Sequence, residues 1–141
     1  MLKVHESAKL KASAIDLWAA IGSFGNLAEW HPAAVTSTLE TRGDDTVRLV
    51  SIPGGGLLVE KLEAHDEDAM SQTYSIVESP LPVSEYLSTL KVIPQGDSEC
   101  TVDWSGSFKA NGVEDQAAIK IITGIYTAGL NALKKRFGEQ S

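Results

Sequence analysis

The stretch "GVEDQAAIKIITGIYTAGLNALKKRFG", residues 112–138, is the longest helical pattern in the chain and governs how the rest must fold. Ile119, Ile122, Tyr126, Leu130, Leu133 and Phe137 recur at the spacing of one helix face, and Ile121, Ile125 and Ala128 widen that stripe. Glu114 and Asp115 stand in its first turn, Lys134, Lys135 and Arg136 in its last, and Gly138 follows as a C-cap. Those charges complement the helix dipole at both ends. About 25 residues at ~1.5 Å each give a helix of roughly 37 Å, enough to cross a whole sheet.

Upstream of it, Val35 to Phe108 carries the punctuation of antiparallel strands. "VTSTLETRG", "DTVRLVSI", "LLVEKLEAHD", "SQTYSIVE", "SEYLSTLKVI" and "ECTVDWSGSF" are short and rich in β-formers, separated by turn chemistry such as "GDD", "PGGG" and "PQGDS". The opening "LKVHESAKLKA" alternates, with Leu2, Val4, Ala8 and Leu10 on one face and Lys3, His5, Ser7 and Lys9 on the other. Glu6 falls in the apolar phase. Ser13 has the character of an N-cap, and a helix over Ala14–Ile21 is predicted to bury Ile15, Trp18 and Ile21. "NLAEW" allows one further turn before Pro32 stops it.

A sheet this long must cover its apolar face, and only the last helix is large enough to do so. The expected fold class is α+β: a curved antiparallel sheet wrapped around a long C-terminal helix, with two short helices between strands 1 and 2. The whole chain, 1–141, is read as a single domain.

Composition narrows the function classes. Apolar residues are 43% and charged residues 22%, a globular rather than a disordered balance. The net charge of −7, with no basic block, opposes binding to nucleic acid or to an anionic membrane surface. No apolar run approaches the roughly 20 residues of a membrane-spanning helix, and "MLKVHESAKLKAS" lacks a signal-peptide core. Cys100 is alone, which excludes an internal disulfide and cysteine-based zinc sites. A cytoplasmic protein is expected.

The element order, with "FGNLAEWHPAAV", "VRLVSIPGGGLLVEKLEA", "SPLPVSEYLSTLKVIP" and "CTVDWSGSF", resembles the START-like (SRPBCC) superfamily of helix-grip proteins, most closely its polyketide cyclase/dehydrase and lipid-transport branch. The resemblance covers essentially the whole chain. It implies a seven-stranded sheet gripping the last helix, with a ligand cavity between them.

Polar residues that break an apolar phase give the cavity independent support. In "LLVEKLEA", Glu60 shares a face with Leu58 and Leu62; in "TVRLVSI", Arg48 shares one with Val50 and Ile52. If "PGGG" closes a hairpin, their strands are neighbours, and a buried charge must be paired. An Arg48–Glu60 pair at the cavity wall is expected, serving either structure or ligand. Trp104, Tyr74 and Tyr86 lie in apolar phases of their strands, and Tyr126 and Ile122 lie on the helix stripe. Aromatics with polar tips suit a pocket that holds an apolar body and orients a few polar atoms.

"WHP", residues 30–32, follows the second short helix. Trp30 is expected to plug the cavity mouth. His31 is either a rim residue that exchanges a proton or a hinge bonded to backbone, and the hinge is favoured because most loop polar residues are structural. His5 and His65 do not converge on it by spacing, so neither a metal nor another cofactor is expected. "PGGG" leads from strand to strand, which makes it a turn and not a phosphate cradle.

Two functions follow as expectations. One is sequestration or transport of a small hydrophobic, aromatic or lipid-like molecule, contacted by Trp30, His31, Arg48, Glu60, Tyr74, Tyr86, Trp104, Ile122 and Tyr126. The other is a polyketide cyclase/dehydrase-type enzyme on the same ligand, with His31, Glu60 or Tyr86 moving a proton. A regulator of a partner protein, acting alone or as a homodimer, is a third, open reading.

Overall fold

The computed structural model describes residues 1–139. Its elements are β1 (Leu2–Leu10), α1 (Ala14–Ile21), a 3-10 turn (Phe24–Asn26), α2 (Leu27–Trp30), β2 (Thr36–Arg42), β3 (Asp45–Ser51), β4 (Leu57–Asp66), β5 (Ser71–Glu78), β6 (Val83–Pro94), β7 (Cys100–Ala110) and α3 (Asp115–Phe137). The strands form one antiparallel seven-stranded sheet in the order β1-β7-β6-β5-β4-β3-β2. From β2 onward each strand pairs with its chain neighbour through a short turn, and β1 closes onto β7. No helix among the described residues is long and apolar enough to cross a membrane.

The Ser13 hydroxyl accepts from the Asp16 N–H at 3.1 Å and caps α1. That helix buries Ala14, Leu17, Trp18 and Ile21, whereas Ile15 is 77% exposed. The predicted burial of Ile15 was therefore wrong: once Ala14, Leu17, Trp18 and Ile21 define the inward face, its position points away by about a third of a turn.

In α3, Ala118, Ile122, Tyr126, Gly129, Leu130 and Leu133 are buried. The helix packs on β1 and, less extensively, on β7. It thus lies toward one edge of the sheet and leaves the concave surface of β3 to β5 uncovered. Gly138, at φ 89°, ends it, and its N–H reaches the Lys134 carbonyl.

A bulge in β6 also shapes the interior. Pairing with β7 steps from Ser84–Lys109 to Leu87–Ser107, and Glu85 takes the left-handed φ of 51°. The extra residue shifts the alternation, so that Val83 and Tyr86, three positions apart, are both buried.

Candidate ligand-binding cavity

The uncovered part of the sheet borders, with the flank of α3 and the α2–β2 connection, a partly open cavity of about 250 Å³. That exceeds the ~150 Å³ of an apolar cavity able to hold benzene. Its apolar wall includes Leu58, Ile76, Leu81, Ile121 and Ile125.

Arg48 and Glu60 face each other in the β3–β4 register, and both side chains point inward. Arg48 Nε donates to Glu60 Oε1 at 2.7 Å, and Nη1 donates to the Phe24 carbonyl at 3.1 Å. The guanidinium carbon lies 4.2 Å from the centre of the Phe24 ring and 4.8 Å from that of Tyr74. Two aromatic faces and a backbone carbonyl therefore hold the cation in place. Arg48 is 3% and Glu60 4% exposed, so this is a desolvated pair.

Next to it runs a network of hydroxyls. Ser88 Oγ donates to the Ser105 carbonyl at 3.0 Å, so its lone pairs accept from Trp104 Nε1 at 3.1 Å and from the Tyr126 hydroxyl at 2.7 Å. Tyr126 in turn accepts from the Tyr86 hydroxyl at 2.6 Å. The Trp104 N–H is shared with the Tyr74 oxygen at 3.0 Å, and the Trp104 and Tyr126 rings stack at 4.5 Å. Burial, then the charge of Glu60, pushes the Tyr74 phenol up to about 12. Burial likewise raises Tyr86 and Tyr126 well above the ordinary value. All three remain neutral donors at physiological pH.

His31 has both ring nitrogens engaged by backbone. Nδ1 accepts from the Ala33 N–H at 3.0 Å, which leaves Nε2 protonated and donating to the Ile125 carbonyl at 2.8 Å. Burial lowers its pKa; the Ile125 carbonyl opposes the shift and the Arg48 charge reinforces it. Gly129 makes the approach to α3 feasible, because a Cβ there would sit 2.7 Å from His31 Cδ2 and 2.8 Å from Trp104 Cζ3. The arrangement is that of the hinge. His31 latches the α2–β2 connection to α3 and presents its ring to the cavity, without a free nitrogen for proton transfer.

Of the sequence candidates, His31, Arg48, Glu60, Tyr74, Tyr86 and Trp104 line the cavity. Trp30, Ile122 and Tyr126 lie outside its lining. Trp30 does not plug the mouth: it is buried against Trp104 and His31, with ring centres 5.6 and 5.7 Å away. Ile122 and Tyr126 face the sheet, and the neighbouring Ile121 and Ile125 take the cavity side instead. Glu6 is half-buried on β1, opposite Trp104, and is not part of the cavity wall. Sequence reading missed Ser88, although it interrupts the apolar phase of Tyr86, Leu90 and Val92. Ala34 carried no signal at all. Among the described residues no group of three or more His, Cys, Asp or Glu is placed to hold a metal ion.

Residues 1–138 match the family model described as polyketide cyclase / dehydrase and lipid transport. The chain belongs to this family. Its fold is the helix-grip, START-like fold expected from the sequence. The protein XoxI from Bacillus cereus is 36% identical, with a TM-score of 0.92 over 97% of this chain and 96% of that one. A START superfamily protein from Mycobacterium smegmatis has a TM-score of 0.79 at 14% identity, covering 96% of each chain. The ZhuI aromatase/cyclase from Streptomyces sp. R1128 has a TM-score of 0.78 at 12% identity, over 96% of this chain and 92% of that one, a likeness of fold. No curated protein matches the sequence.

Proposed function

We propose that this family member binds a small, mostly apolar molecule in the cavity beside α3, sequestering or carrying it. The observation that carries this reading is a 250 Å³ space walled by apolar side chains into which a buried, fixed Arg48–Glu60 pair faces. A solid core would not tolerate the gap, and polar groups few in number but held rigidly are what orient a ligand. The lone, buried Cys100, whose thiol burial pushes up, suits the reducing conditions of the cytoplasm.

Native mass spectrometry of freshly purified protein, with titration of 2-naphthol followed by tryptophan fluorescence, tests this. We expect saturable binding that Ala34→Phe, which fills the cavity, abolishes while the fold is retained. Equal binding by the filled variant would reject it.

Cyclase/dehydrase chemistry on the same ligand is the second reading, and one feature favours it: Glu60 accepts from Arg48 through a single oxygen, leaving the other for a substrate proton. His31 does not serve that role. Turnover of an accepted substrate that survives Glu60→Gln would remove this reading.

A further inference from the structure

The one-oxygen link between Arg48 and Glu60 specifies the polar group of the ligand. Nε and Nη1 of Arg48 are engaged by Glu60 Oε1 and by the Phe24 carbonyl, and no described residue hydrogen-bonds Nη2 or Glu60 Oε2. The polar side-chain atoms both sealed and partnerless among the described residues are Asn26 Oδ1 and Gln72 Oε1, so neither free atom of the pair is sealed. Both side chains are buried from outside and line the cavity, so their free atoms open onto it.

The wall thus presents one charged donor and one charged acceptor whose charges cancel. A ligand carboxylate would meet Glu60, and a ligand ammonium would meet Arg48; either would add an uncompensated charge to an apolar chamber. A neutral group that donates to Oε2 and accepts from Nη2 satisfies both atoms at once.

Building on the ligand-binding reading above, we propose that the cavity selects a neutral, compact, largely apolar molecule bearing an amide-like group, N–H beside C=O, seated on Arg48 Nη2 and Glu60 Oε2. About 250 Å³ leaves room for roughly one substituted ring behind that group.

Four single-ring probes test it: benzamide, benzoate, benzylammonium and ethylbenzene, titrated into the full chain by calorimetry. Benzamide is expected to bind about tenfold to a hundredfold tighter than ethylbenzene, and tighter than either ion. In Glu60→Gln the site carries the unbalanced Arg48 charge, and benzoate is expected to overtake benzamide. The paired apolar replacement Arg48→Met/Glu60→Leu, which keeps volume and removes both charges, is expected to fold and to lose the amide preference while still taking ethylbenzene. Ethylbenzene or 2-naphthol binding with no advantage for benzamide overturns the amide proposal and leaves the general binding reading standing. A preference for benzoate in the unaltered protein, or an amide preference that survives the double replacement, also overturns it. Failure of all these probes to bind removes both readings.

Discussion

Replacing Glu60 with alanine strands the Arg48 guanidinium between Phe24 and Tyr74 with no counter-charge, and is expected to cost about 3–5 kcal/mol in urea unfolding. Arg48→Met/Glu60→Leu should lie within about 1 kcal/mol of the original or above it, because two desolvation penalties vanish together. A double variant as unstable as Glu60→Ala would contradict that. His31 sets a pH dependence. Its folded-state pKa lies below the unfolded value near 6.5, so the unfolded chain takes the proton first on acidification. Its contribution to stability is whole above pH ~6.5 and is lost as pH falls from there toward the folded-state value. Unfolding series at stepped pH should show this slope, less of it in His31→Gln, with the difference confined to that window. The Arg48–Glu60 pair was legible from strand parity and one hairpin. His31 left two readings open, because no local pattern says which backbone groups will close on an imidazole from 94 residues along the chain.

For the elements, the contact between α3 and the sheet depends on a missing side chain. Gly106 on β7 lies directly under the Tyr126 hydroxyl, so a Cβ there would collide with it. Gly106→Ala is expected to lose about 1–3 kcal/mol by overpacking, and Tyr126→Phe some 1 kcal/mol or more through the Ser88 and Tyr86 hydrogen bonds. The double variant should be more stable than the sum of the two predicts, since loss of the hydroxyl clears the space that the new methyl needs; strict additivity would show that the two residues do not touch. Strand and helix positions were readable because alternation and helical periodicity are local. The facing of α3 was readable only to within one residue. Its apolar stripe is broad, and the sequence does not say which flank meets β1 and which hangs over the cavity. The β6 bulge at Glu85 was invisible for a similar reason, as nothing in "VSEYLS" demands a positive φ at a glutamate.

Across the whole molecule, a cavity-bound ligand stabilises by mass action. At one hundred times Kd a ligand adds about 2.7 kcal/mol, or roughly 6–10 °C in Tm for a chain of this size. Differential scanning calorimetry with 2-naphthol should show such a rise in the original protein and none in Ala34→Phe; a rise of equal size in both would place binding elsewhere. The sequence alone determined the element order, the antiparallel sheet, the long closing helix and the inward phase of Arg48, Glu60, Tyr74, Tyr86 and Trp104. Each of those follows from short-range periodicity, turn chemistry and the cost of burying charge. Only the tertiary structure decided that α3 sits off centre over β1 and β7, that the space it leaves lies above β3 to β5, and that Trp30 and Tyr126 are packed behind that space. Such facts depend on how elements far apart in the chain dock, where close packing among Gly129, Gly106, His31 and Trp104 selects one placement from several that the same apolar stripe allows.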